Sequence, residues 1–162
     1  MAESTCDLYD RFEGTARVAD AGFRDFGARR RFSGAAVTVK CFEDNSRVKE
    51  LLATPGQGKV LVVDGGGSLR AALMGDLIAQ SAVKNGWEGV VIHGAVRDCA
   101  VLATLDLGIK ALDTIPRKTV RNGEGQAGLT LTFAGLRVAP GDRVFADEDG
   151  ILVLDPTEFG EG

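Results

Sequence analysis

Two aspartates and an arginine stand at a spacing that could do chemistry. Asp76 follows Gly75, and the pair Arg97-Asp98 comes after the twenty residues 77 to 96. A guanidinium is a planar fork that matches a carboxylate, and aspartates are the hard oxygen ligands that Mg²⁺ or Mn²⁺ prefers. If Gly75, Asp76, Leu77 and Ile78 open a helix, its first turn adds unpaired backbone N–H groups and a partial positive charge, able to hold a carboxylate or phosphate. A charge there gains roughly 0.3–1 kcal/mol when exposed and up to about 2 when partly buried. That is too little to bind a small anion alone, so Arg97 is the cation that would complete the site. The same residues suit a plainer reading equally well: an N-cap aspartate and a surface Arg–Asp pair.

The elements that must position them can be read around this core. Val60-Leu61-Val62-Val63 leads into Asp64 and three glycines, Gly65 to Gly67, as a buried strand ending in a tight loop. A helical pattern follows from near Met74 to near Asn85-Gly86, with Met74, Leu77, Ile78, Ala82 and Val83 towards one face. A second apolar strand, Gly89 to His93, delivers Arg97 and Asp98 just beyond its C-terminal end. Upstream, Ser4-Thr5 caps a short helix through Leu8, Tyr9 and Phe12, and Ala35 to Cys41 alternates as a strand. Asn45 or Ser46 caps a helix carrying Val48, Leu51 and Leu52, and Asn45 also lies at a strand end, where side chains commonly enter a site. Downstream come a short helix over Cys99 to Leu105 and a strand over Ile109 to Leu112. The order β-α-β-α-β-α-β predicts an α/β fold. The rest changes character: a long polar connection from Lys118 to Gly128, a hairpin about Ala134-Gly135, and strands at 143–146 and 151–154. Residues 155–162 are expected to fray.

Composition narrows the function. At 162 residues the chain suits one domain with a sizeable core. Its 19 Lys and Arg against 23 Asp and Glu leave a net charge of −4, which argues against a nucleic-acid binder. The cluster Arg29-Arg30-Arg31 accordingly reads as a solvated turn or subunit contact. Cys6, Cys41 and Cys99 neither close a disulfide set nor take zinc-ligand spacing, so a reducing cytoplasm is expected. No cationic leader and no run of about 18 apolar residues points to a membrane. Gly65-Gly66-Gly67 lacks the G-x-G-x-x-G spacing, and no P-loop occurs. His93 is the only histidine, and without Gly-x-Ser-x-Gly or a partnered cysteine a hydrolytic triad has no support. Nothing around Lys59, Lys84 or Lys110 singles out a Schiff-base lysine. The acidic turn Asp147 to Gly150 lacks the later ligands of a calcium loop and reads as a turn. Metal-assisted chemistry is the enzymatic reading that remains.

Three stretches taken together are distinctive: Asp64 to Arg70, Asn85 to Gly89, and Gly94-Ala95-Val96-Arg97-Asp98. With Cys41 to Ser46, they give a chain that closely resembles the regulators of ribonuclease E activity A and their relatives, the class II 4-hydroxy-4-methyl-2-oxoglutarate aldolases, from about Cys6 to Leu154. The resemblance implies a swivelling β/β/α domain, a single compact unit over residues 1–162, assembled as a homotrimer or a dimer of trimers with sites between subunits. The aldolases carry an aspartate, twenty residues and then Arg-Asp, a pattern that Asp76, Arg97 and Asp98 meet in full; some ribonuclease-regulating members lack that aspartate. By resemblance, Gly75, Asp76, Leu77, Ile78 and Arg97 bind the pyruvate part of a small 2-oxo acid. Asp98 ligates Mg²⁺ or Mn²⁺, Asp76 orients a metal-bound water, and Asn45 falls where such aldolases place a polar site residue. The implied reaction is aldol cleavage, with oxaloacetate decarboxylation passing through the same pyruvate enolate. Larger aldolases bring a further acid from the neighbouring subunit's C-terminal extension, for which Glu158 and Glu161 are the candidates here. The competing expectation is a non-catalytic protein that masks ribonuclease E with its outer surface. A methyltransferase label used for the family gets no support, because no nucleotide-binding glycine fingerprint is present.

Overall fold

Runs of β-branched residues make the centre of the molecule, because a strand buried on both faces has no room for polar side chains. The computed structural model describes residues 1–158. In chain order its elements are α1 (Thr5–Arg11), β1 (Arg17–Val18), β2 (Arg24–Asp25), β3 (Phe32–Lys40), α2 (Ser46–Leu52), β4 (Lys59–Asp64), β5 (Ala72–Met74) and α3 (Asp76–Lys84). They continue with β6 (Gly89–Val96), α4 (Cys99–Leu102), β7 (Gly108–Thr114), β8 (Gln126–Ala127), β9 (Leu131–Phe133), β10 (Leu136–Val138), β11 (Arg143–Asp147) and β12 (Gly150–Leu154). Strands β3, β4, β6 and β7 lie side by side in parallel, with β11 and β12 joining antiparallel beyond β3 and β2 antiparallel beyond β7.

The period-2 alternation of the central strands sorts side chains into two cores. Leu61, Val63, Val90 and Ile92 face the helices, where Val48 and Leu52 of α2, Ile78, Ala79 and Ala82 of α3, and Leu102 of α4 cover them. Val60, Val62 and Val91 face the other way, beneath Leu131, Phe133, Leu136 and Val138 of the β9–β10 hairpin. Helices, mixed sheet and hairpin thus form three layers, an α/β architecture consistent with the expected β/β/α layering. No helix among the described residues is long and apolar enough to cross a membrane.

Two helix boundaries differ from the sequence expectation. The segment Ala72–Met74 is a strand paired in parallel with β6, so the helix begins at Asp76 and not near Met74. Leu77, expected on the apolar face, is 76% exposed. Gly75 breaks the run between strand and helix, so Met74 is buried as a strand residue while Leu77, in the first helical turn, projects outward. Downstream, α4 ends at Leu102, three residues short of the expected Leu105. One other expectation is met in side-chain detail. The Ser4 hydroxyl caps α1 by accepting from the Asp7 N–H. Arg29 pairs with Glu88 and Asp106, and Arg31 with Glu148, so two of the three clustered arginines are spent on ion pairs within the chain. Lys110 is buried, 3.1 Å from Asp25 and donating to the Asp147 carbonyl.

One buried carboxylate gathers much of the polar connection after β7. Asp44 Oδ2 accepts from the N–H groups of Asn122 (2.7 Å) and Glu124 (3.3 Å), while Oδ1 accepts from the Ser46 N–H and hydroxyl. Burial pushes this carboxyl up, but the hydrogen bonds from Ser46, Asn122 and Glu124 outweigh it and draw its pKa down from 3.8 to about 2. Because the folded value lies below the ordinary one, the stabilisation is fully present above 3.8 and is lost as pH falls towards 2. Asp44→Asn is expected to cost roughly 1.5–3 kcal/mol at neutral pH, the range for hydrogen bonds to a charged group. Urea unfolding at pH 7 and pH 3 checks it: the gap between parent and variant should narrow at pH 3. A gap that is the same at both pH values would show that the Asp44 charge does not hold the loop.

Candidate active site

The site forms where three chain segments meet at the carboxyl ends of the parallel strands, the usual place for a ligand crevice in such sheets. At the end of β6, the Arg97 N–H donates to the Met74 carbonyl (3.0 Å) and fixes this corner against the end of β5. Asp98 follows with φ 59°. Only a few per cent of non-glycine residues enter this left-handed region, Asp and Asn among the most ready. The turn brings the Asp98 carboxylate over the N-terminus of α3, where the Asp76 N–H donates to its Oδ2 at 2.9 Å.

Gly75 makes this approach possible. Its φ of −121° suits any residue, so the need for glycine is one of space. A Cβ there would lie 2.6 Å from Asp98 Oδ2 and 3.1 Å from Arg97 Nε. The Arg97 guanidinium is steered by a bond from Nη1 to the Pro116 carbonyl (3.3 Å), with Nε 3.9 Å from Asp98 Oδ2. Helix α3 starts its own hydrogen bonding with the Ala79 N–H on the Gly75 carbonyl. The N–H groups of Leu77 and Ile78 therefore meet no acceptor among the described residues and remain open to an anion.

A small cavity of about 60 Å³ lies here, with Gly75, Asp76, Leu77, Ile78, Arg97 and Asn45 all in its wall. Every substrate-binding residue expected from the sequence is thus in one place. Asp98 opens instead onto an adjoining cleft of about 200 Å³, with Arg97 as the partition between the two. Asn45 is buried and tightly held. Its Nδ2 donates to the Leu73 carbonyl, and its Oδ1 accepts from the Thr119 hydroxyl (2.8 Å) and Arg121 Nε (2.9 Å). Lys118 and Arg121 also line the small cavity. In the sequence both belong to a polar connection, where the only signal is two cations within four residues, soon after a strand end.

Two other residues lie away from this corner. His93, beside the site in sequence, points to the opposite face, where its ring stacks on Phe133 at 5.1 Å in the wall of a larger cavity of about 570 Å³. Burial holds its pKa below the usual value, and Nδ1 has no hydrogen-bond partner there. Glu158 accepts from the Thr15 hydroxyl and is absent from the walls of both the small cavity and the adjoining cleft. Glu161 lies outside the described residues.

The donor set can be tested against a metal. Among the described residues no group of three or more His, Cys, Asp or Glu side chains could hold an ion. The described residues therefore form no closed zinc-type site. One or two carboxylates with the remaining positions left to water and substrate is, however, the usual environment of Mg²⁺. Asp98 fits: Oδ2 is held by the helix, and its side chain is about one-third exposed, reachable from the cleft.

The chain matches the family model described as RraA-like, Aldolase/RraA, over residues 5–153. A protein of Alkalilimnicola ehrlichii, provisionally named 4-hydroxy-4-methyl-2-oxoglutarate aldolase, is 56% identical over 94% of this chain and 95% of its own length. Among solved structures, the RNA-processing inhibitor RraA from Thermus thermophilis is similar with a TM-score of 0.92 and 43% identity, over 96% of this chain and 94% of that one. A Geobacillus kaustophilus protein named as an S-adenosylmethionine:2-dimethylmenaquinone methyltransferase is similar with a TM-score of 0.95 and 42% identity, over 99% of both.

Gly75→Ala tests the geometry of this corner. The added methyl collides with Asp98 Oδ2 and Arg97 rather than with backbone, so the fold should survive with a loss of only about 1–3 kcal/mol. Mg²⁺ affinity, measured by titration calorimetry, should fall by about tenfold or more, in the range seen when the support of a metal ligand is disturbed. Unchanged Mg²⁺ binding in the folded variant would show that the approach of Asp98 to the helix is not part of a metal site.

Proposed function

Because the chain belongs to the RraA-like aldolase family, we propose that it is a divalent-metal-dependent carbon–carbon lyase acting on 4-hydroxy-2-oxo acids, with oxaloacetate decarboxylation at the same site. The observation that carries this reading is the convergence of Arg97, Asp98 and the open N–H groups of α3 across the missing Cβ of Gly75. Asp98 would hold Mg²⁺ or Mn²⁺, which when bound supplies Lewis-acid polarisation of the 2-oxo group.

The chain's own residues account for the rest. The Leu77 and Ile78 N–H groups and the Arg97 fork bind the substrate's 1-carboxylate. Asp76, in the cavity wall, orients the water that takes the proton from the 4-hydroxyl. As C3–C4 breaks, its electron pair passes to the pyruvate enolate and the 4-carbon leaves as a ketone. Arg97, already beside the developing oxyanion, offsets that charge without reorganising, and the enolate then takes a proton at C3. In oxaloacetate the leaving electrophile is CO₂, so no hydroxyl proton has to be moved.

A homotrimer with sites between subunits fits the exposure of Leu77 at the cavity and of Val120 beside Arg121, 76% and 70%. The regulator reading draws support from the Thermus relative named as an RNA-processing inhibitor. The open helix N-terminus and the Arg97 fork favour the enzyme, since masking a ribonuclease from the outer surface has no use for them.

Arg97→Lys separates charge from shape. It keeps the cation and loses the planar fork, so kcat for oxaloacetate decarboxylation should fall by about 10²-fold with KM raised as well. Steady-state kinetics on the purified variant measure both. A lysine variant that matches the parent in both constants would remove Arg97 from the reaction.

A further inference from the structure

The larger cavity on the hairpin face has no part in the reaction above, and its floor is not built like a core. Lys40 on β3 stands in register with Asp64 on β4, and Asp64 with His93 on β6. Register partners share a face of the sheet. Two residues earlier that face carries Thr38, Val62 and Val91, all buried. The next row is a cation, an acid and an imidazole, and all three line the space of about 570 Å³. That volume is usual for a ligand pocket, roughly 300–1,000 Å³, and its wall shares no residue with the small cavity at Gly75.

These groups are not spent on one another. Asp64 is only 8% exposed; its Oδ1 accepts from the Gly66 N–H, and Oδ2 has no partner among the described residues. Among those residues no ion pair joins Asp64 to Lys40 or His93, and the Lys40 ammonium has no partner of its own. A carboxylate so buried is costly unless something pairs with it. Burial holds the His93 imidazole below its usual value against the pull of Asp64, so it adds no charge at neutral pH. Burial first, then the Asp44 and Asp64 carboxylates, pushes the Cys41 thiol in the same wall up to about 12. The wall thus offers one cation and one anion. The rest is aromatic: His93 stacks on Phe133, and the exposed Phe42 lies over Gly66, where a Cβ would be 2.8 Å from its ring.

We infer that this cavity binds a zwitterionic α-amino acid with an apolar or aromatic side chain, its ammonium on Asp64, its carboxylate on Lys40 and its side chain against Phe42 and Phe133. Neighbouring strands stand about 4.8 Å apart, so one carbon can carry a substituent to each of Asp64 and Lys40. A simple anion would have to face Asp64, and a simple cation Lys40; the zwitterion satisfies both. The inference is independent of the lyase reading.

Titration calorimetry on the full chain tests it with L-leucine and three probes of similar shape. These are L-phenylalanine, 3-phenylpropanoate, which lacks the ammonium, and phenethylamine, which lacks the carboxylate. L-phenylalanine should bind tighter than either by about tenfold or more, the worth of a charged hydrogen bond. Asp64→Asn keeps an acceptor for the Gly66 N–H; it should weaken L-phenylalanine by a similar factor and 3-phenylpropanoate not at all. Lys40→Met, at an exposed residue, should weaken L-phenylalanine and spare phenethylamine. Arg97→Lys, in the other cavity, should leave L-phenylalanine binding unchanged; its loss there would put the ligand in the small cavity and overturn the inference. So would a parent that binds neither amino acid, equal affinity for the three probes, or folded Asp64 and Lys40 variants that match the parent.

Discussion

A missing methylene governs the architecture of the site. At Gly75 the chain turns from strand β5 into helix α3, and the carboxylate of Asp98 comes down where any other residue would carry a Cβ. Its hydrogen bond from the Asp76 N–H joins the end of β6 to the start of α3 through two residues far apart in sequence. With that bond made, Arg97 and the free N–H groups of α3 face one small space. The left-handed backbone at Asp98 is the strain the fold accepts to aim this carboxylate.

The second constraint acts from the far side of the cavity. The polar connection after β7 has few apolar anchors of its own, and buried polar groups do the work of a core. Asp44 collects backbone N–H groups from that connection, and Asn45 collects the Thr119 hydroxyl and the Arg121 guanidinium. Such networks are stabilising when satisfied, and every carboxylate and amide oxygen and nitrogen of the Asp44 and Asn45 side chains has a partner. The cations of the connection are thereby as well placed as those on the strands, although they belong to irregular chain. A loop held by a rigid scaffold is a common home for binding residues.

Much of this was readable from the sequence, and the reasons differ by residue. The central strands announce themselves because burial on both faces demands the continuous apolar runs at Val60 and Val90. Gly75, Asp76, Arg97 and Asp98 could be found because glycine, acid and arginine at strand and helix ends are chemically conspicuous, and their pattern resembles that of the aldolases. Periodicity failed at Met74: three residues of edge-like strand followed by a first helical turn imitate a longer helix, and only pairing with β6 distinguishes them. Lys118 and Arg121 were unreadable for a different reason. Nothing local tells a basic loop residue that solvates a surface from one that a buried Asp–Asn pair, more than seventy residues earlier, holds against a cavity. His93 neighbours the Arg–Asp pair in sequence, yet alternation along β6 sends its ring to the hairpin face.

The central claim is that this corner works as a metal-dependent site for carbon–carbon cleavage, and the unmodified protein tests it most directly. Pyruvate formed from oxaloacetate and from 4-hydroxy-4-methyl-2-oxoglutarate is measured with added Mg²⁺, after treatment with EDTA, and after Mg²⁺ is restored. The account requires turnover of both substrates with Mg²⁺, its loss in EDTA and its return with the ion, none of which should survive in a folded Asp98→Ala protein. Turnover that persists in EDTA, or undiminished Mg²⁺-dependent turnover in Asp98→Ala, would contradict it.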